Sequence, residues 1–149
     1  MSAVTIDPGV EACQALIAQI NTGTAYALEF VATYCEQLVD PLEEINGLLV
    51  NVIIEKSETL IETLAIEDRT SHAIRIWIRD KVSDSTNDTV DALRLLVRQI
   101  WQRVNDYTSA RVKVWECDNE EMEEPIKASL RRAGMFVTSI VLRAEVEAS

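Results

Sequence analysis

The chain predicts an α+β domain, a single mostly antiparallel sheet of about four to five strands with two main helices packed on one face, in the order α-β-β-β-α-β-short α-β. Three observations carry this. His72 to Val82 (HAIRIWIRDKV) alternates with period two, placing Ile74, Ile76 and Ile78 on one side and Arg75, Trp77 and Arg79 on the other. Thr89 to Val104 then switches to helical period, with Val90, Leu93, Val97, Ile100 and Val104 on one stripe. Finally, Met135 to Glu147 (MFVTSIVLRAEVE) returns to alternation as a long last strand.

The remaining elements follow in chain order. Asp7 followed by Pro8 is an N-cap with a proline at the first helical position, and Val10, Cys13, Leu16, Ile17 and Ile20 recur at helical spacing, so a first helix spans about 8 to 22. Between Thr24 and Gln37, Tyr26, Leu28, Phe30, Ala32 and Tyr34 share one parity, which predicts a strand, although the alanines would also suit a helix. Asp40 and Pro41 open a turn or short helical segment before the β-branched run Leu48 to Lys56 (LLVNVIIEK), another strand. Residues 57 to 71 lack a clear period and read as a loop or excursion. Arg111 to Cys117 (RVKVWEC) is a strand, and Pro125 starts a short helix through Arg132 with Gly134 as its cap. No repeat or linker divides residues 1 to 149, so one domain is expected.

Composition narrows the function classes. With 48% hydrophobic residues, four glycines and three prolines, the chain is globular in composition. It starts without a basic segment leading into an apolar one, and no apolar run reaches the roughly 18 residues of a membrane span. A soluble chain made inside the cell, with no membrane partner, is therefore expected. Cys13, Cys35 and Cys117 lack the paired spacing of zinc or redox motifs and read as small buried hydrophobes. The formal net charge is -11, and residues 1 to 68 hold 12 acids against Lys56 alone, while 13 of each sign follow. An acidic excess disfavours a grip on nucleic acid, which needs clustered Lys and Arg at the phosphates. It fits either a solvated acidic surface or a polarised subunit that presents a negative wall.

Catalytic equipment is sparse, and no enzyme activity or cofactor is expected. His72 is the lone histidine and reads as a solvent-facing or capping imidazole. The acids Glu116, Asp118, Glu120, Glu121, Glu123 and Glu124 could offer hard oxygen ligands, but they lack the spacing and central glycine of a calcium loop and read as a solvated edge. Neither a phosphate-cradling glycine loop nor a nucleophile elbow is present. Arg75, Trp77 and Arg79, with Trp115 on the following strand, are the candidate subunit interface, because Trp and Arg are enriched where proteins meet. The competing expectation is that both faces of the sheet are covered and that Trp77 is core.

In its succession of a first helix, YALEF, LLVNVIIEK, an excursion ending at DRTS, HAIRIWIRDKV, TVDALRLLVRQIWQRV and FVTSIVLRAEV, the chain resembles the tail-terminator and head-to-tail joining (neck) proteins of tailed bacteriophages. The segment from Asn119 to Glu124 has no counterpart in that pattern. The resemblance implies a virion protein, assembled in the host cytoplasm, that forms a hexameric ring capping the tail-tube protein and joining it to the neck and connector proteins. DNA would pass through the ring without specific binding, past a channel lined by the acids of the first half or of the 116 to 124 run. Another phage structural subunit, head-closure or tail-tube, or a cytoplasmic α+β binding module are the alternatives that the residues leave open.

Overall fold

A computed structural model describes residues 6–23, 26–35, 47–60, 69–81, 87–105, 107–109, 111–118 and 135–147. The elements are α1 (Pro8–Asn21), β1 (Ala32–Tyr34), β2 (Leu49–Leu60), β3 (Arg69–Lys81), α2 (Asn87–Val104), β4 (Val112–Asp118) and β5 (Met135–Glu147). The predicted turn or short helical segment opened by Asp40 and Pro41 lies, up to Gly47, outside the described residues, as does the predicted short helix at 125–132 with its Gly134 cap.

The five strands form one sheet in the order β1-β2-β3-β5-β4. β2 with β3, β3 with β5, and β4 with β5 are antiparallel, whereas β1 runs parallel to β2. Because β5 inserts between β3 and β4, α2 serves as the crossover that carries the chain from β3 to the far edge. Both helices pack on one face of the sheet and against each other.

The pleat explains which side chains meet the helices. Val50 stands opposite Ile78, and Val52 opposite Ile76. Across β5, Ile76 faces Ile140 and Ile74 faces Leu142, with Val114 opposite Ala144 at the edge. These residues join Ala12, Cys13, Leu16 and Ile20 of α1 and Leu93, Leu96, Val97, Ile100 and Val104 of α2 in one core. In α1, Asp7 caps the helix by accepting from the Val10 N–H at 3.1 Å, as its place before Pro8 predicts. Gly9 lets α1 approach the sheet closely: a Cβ there would lie 2.9 Å from Ile54 Cδ1 and 3.1 Å from His72 Nδ1, so those side chains would have to give way.

Two expectations are corrected. The expected excursion at 57–71 is strand at both ends, since Glu58, Thr59 and Leu60 pair with Ser71, Thr70 and Arg69. A mixed polar run shows no period on its own, and the register imposed by the long ladder extends it. The expected strand at 24–37 narrows to Ala32–Tyr34. Its alternation nevertheless persists: Tyr26, Leu28, Phe30, Ala32 and Tyr34 are turned inward, and Ala27, Glu29, Val31 and Thr33 are exposed. Ala32 pairs with Val50 next to the start of β2 at Leu49, so residues 26–30 have no β2 backbone alongside them.

The chain also blunts its own sheet edges. On β1, the Asn21 side chain takes both backbone groups of Ala32, accepting from its N–H at 2.9 Å and donating to its carbonyl at 3.1 Å. On β4, the Val114 N–H donates to the Tyr107 carbonyl at 2.8 Å, and the Val112 N–H donates to Ser109 Oγ at 3.1 Å. An amide side chain and a short return thus occupy groups that an exposed edge would offer to another strand.

Candidate interaction surface

On the face of the sheet away from the helices, the alternation of β3 brings Arg75, Trp77 and Arg79 to one side, as expected. Their surroundings are more closed than a free interface would be. Arg79 is 3% exposed and donates from Nη2 to Asn51 Oδ1 at 2.8 Å, while Asn51 Nδ2 donates to Thr33 Oγ1 at 3.1 Å. Arg75 pairs with Glu55 and donates from Nη1 to Ser139 Oγ at 2.7 Å, with its guanidinium 5.4 Å from the centroid of the Trp77 ring. Two polar chains therefore cross the sheet: Thr33, Asn51 and Arg79 over β1 to β3, and Glu55, Arg75 and Ser139 over β2 to β5. The Asn51 amide oxygen supplies an acceptor to the buried Arg79 guanidinium, and the Ser139 hydroxyl supplies one to Arg75. Trp77 is half-buried beneath Arg75, a cation-π stack that fixes both side chains.

Of the other expected site residues, Trp115 and Glu116 lie in β4 at its register shift, and Asp118 ends that strand. The side chains of these three, and the whole of Glu120, Glu121, Glu123 and Glu124, fall outside the described residues.

His72 departs from expectation. It is 2% exposed, enclosed between β2, β3 and the first turn of α1. Its Nδ1 lies 2.7 Å from Ser57 Oγ and its Nε2 2.9 Å from Thr70 Oγ1. Thr70 donates its own proton to the Val146 carbonyl, so it accepts from Nε2–H, which leaves Nδ1 to accept from Ser57. Burial lowers the imidazole pKa, with the charge of Asp7 opposing. The sequence carries two traces of this arrangement: His72 shares the parity of Ile74, Ile76 and Ile78, which turns it to the helix-covered face, and a hydroxyl stands two residues before it.

The cysteines divide. Cys13 is buried as expected, and burial, followed by the charge of Asp7, pushes its thiol up to about 12, far from a thiolate nucleophile. Cys35 is only half-buried, because it follows the last ladder residue of β1; the side chain of Cys117 lies outside the described residues. Sequence reasoning also missed Arg103. From the last turn of α2 it donates to the Gln19 carbonyl at 2.9 Å and to Thr22 Oγ1 at 3.1 Å, supplying the positive charge that the last turn of α1 lacks. Among the described residues, no three His, Cys, Asp or Glu side chains gather as a metal site, and no helix is long and apolar enough to cross a membrane.

No protein-family profile matches the chain, and no curated protein matches its sequence. A solved structure does match in shape: a chain of the "Virion of native gene transfer agent (GTA) particle", at a TM-score of 0.58 and 16% identity. The chain shares its fold with that virion component. The likeness spans 94% of this chain and 98% of the other, so the helices and the sheet are shared as a unit.

Proposed function

We propose that this chain is a structural virion subunit of a tailed phage or phage-like particle, and within it the tail-terminator or neck subunit, forming a ring that caps the tail tube and joins it to the capsid connector. The observation that carries this reading is the near end-to-end likeness to a chain of a virion particle. The finer assignment draws on the order of elements, which resembles the terminator and neck proteins. Physical features are compatible with it. A head-to-tail contact between copies closes into a ring when its rotation permits. A subunit of net charge -11 suits a passage through which DNA slides, since phosphates are held by Lys and Arg and repelled by carboxylates.

On this reading Arg75, Trp77 and Trp115 lie toward neighbouring subunits, with Arg79 enclosed behind them in its own chain, and Glu116, Asp118, Glu120, Glu121, Glu123 and Glu124 face the channel. The chain acts by fitting against its own copies, the tube protein and the connector, with no bond-making step, in particles assembled in the host cytoplasm. A cryo-electron microscopy map of particles containing the chain tests this. The expected map shows a ring of copies between connector and tube, with the 116 to 124 run toward the axis. Density for the chain elsewhere in the particle, or none at all, would contradict it.

A further inference from the structure

We propose that the Asp7 carboxylate is shared between two partners, capping α1 through the Val10 N–H when His72 is neutral and turning to the imidazolium when His72 is protonated, so that acid loosens the first turn of the helix. The device stands apart from any role in assembly. Its parts come from three elements: Asp7 and Gly9 from the start of α1, Ser57 from β2, and Thr70 and His72 from β3. They meet beneath the first turn of the helix.

Gly9 creates the opening. A Cβ on it would stand 3.0 Å from Asp7 Oδ2 and 3.1 Å from His72 Nδ1, so the carboxylate and the ring nitrogen are no more than about 6 Å apart, with the space that a side chain at position 9 would fill beside both. Asp7 is exposed, and its Oδ2 accepts from the Val10 N–H at 3.1 Å. An exposed carboxylate can turn without unpacking the core. His72, by contrast, is 2% exposed and held at both ends of its ring, by Ser57 at 2.7 Å and Thr70 at 2.9 Å. The ring stays and the carboxylate moves.

Protonation at Nδ1 places a positive charge in a site enclosed by protein. Ser57 is exposed and can reverse its hydroxyl to accept the new proton, but a hydroxyl carries no counter-charge, and a buried cation needs one. Among the described residues, Asp7 is the charged group that acts on the ring. Neighbouring charges are turned elsewhere. Glu11, one turn along α1, pairs with Arg111 at 3.3 Å. Lys56 of β2 pairs with Ala73, and Arg143, Glu145 and Glu147 of β5 alternate with Ala144 and Val146, which places all four on the other face of the sheet from His72. Turning Asp7 inward supplies the counter-charge and withdraws the acceptor from Val10, so the helix loses its cap in the same step.

Nuclear magnetic resonance of the full-length chain between pH 7.5 and 5 tests the switch, following the His72 ring proton Hε1 and the Val10 amide, with circular dichroism at each pH to verify that the chain is folded. The Val10 amide should titrate with the same midpoint as the ring, below 6.5. Its exchange with solvent, corrected for the pH dependence of an open amide, should speed up about fivefold across that midpoint. In H72Q the Val10 titration should vanish. In D7N the side-chain amide can still cap the helix but carries no charge, so the ring midpoint should fall further and the loss of Val10 protection should shrink. A Val10 amide unmoved while the ring titrates, a Val10 titration that persists in H72Q, an unchanged ring midpoint in D7N, or a ring that stays neutral until the chain unfolds would each overturn the proposal.

Discussion

Ile76→Ala should lower the unfolding free energy by about 2 to 5 kcal/mol. Ile76 sits midway along β3, with ladder partners on both sides: Val52 on β2 and Ile140 on β5. All three are fully buried beneath the helices. Truncation removes three carbons from a row whose neighbours are held by two hydrogen-bonded strands, so the cavity can collapse only in part. A domain of this size is stable by about 5 to 15 kcal/mol, so the loss is a large share of the whole. Urea unfolding should show a lower midpoint at an unchanged slope. A loss below about 1 kcal/mol would mean that the sheet does not pack as described.

The second large effect is one of pH and centres on His72. Its folded pKa lies below the ordinary value of 6.5, because burial disfavours the imidazolium. The unfolded chain therefore binds the proton first. Stability from this group is fully present above pH 6.5 and is lost progressively as pH falls below that value toward the folded pKa. One proton taken up on unfolding sets a slope of at most about 1.4 kcal/mol per pH unit. Protonation would also force Ser57 to give up its donated hydrogen bond to Nδ1, at a site next to the first turn of α1, whose N–H groups repel a cation. Asp80 works with the opposite sign: burial raises its pKa above 3.8, so the folded state holds its proton more tightly, and stability from it rises as pH falls through that lower window. The unfolding free energy measured from pH 7.5 down to 5 should decline in the native chain and flatten in His72→Gln. An equal decline in both would remove His72 as the cause.

Much of the architecture was legible in the residues, and what was not has physical reasons. The Asp7-Pro8 cap marks the start of α1 to the residue, because a side-chain oxygen and a missing N–H act locally. The alternation of β3 and β5 is equally plain, since each has one face against the helices. By contrast, Glu58 to Leu60 and Arg69 to Ser71 are strand only because they pair with each other across the sheet. Tyr26 to Phe30 shows strand parity without a ladder, a distinction set by where β2 begins. Among the candidate surface residues, parity placed Arg75, Trp77 and Arg79 on one face. It could not reveal that Arg79 is enclosed with Asn51, because that depends on a neighbour 28 positions away. Burial of His72 was legible in its parity with Ile74, Ile76 and Ile78, although its partner Ser57 was not, and Asn21, which reads as the end of a helix, gives no sign that its amide serves a strand.

Removing the gene for this chain from cells that assemble the particle, then imaging the products by electron microscopy, tests the central claim most directly. A terminator and neck subunit predicts filled heads lacking joined tails, and tubes of irregular length that rejoin heads when the purified chain is supplied. Intact particles with tails of normal length, assembled without the chain, would contradict it.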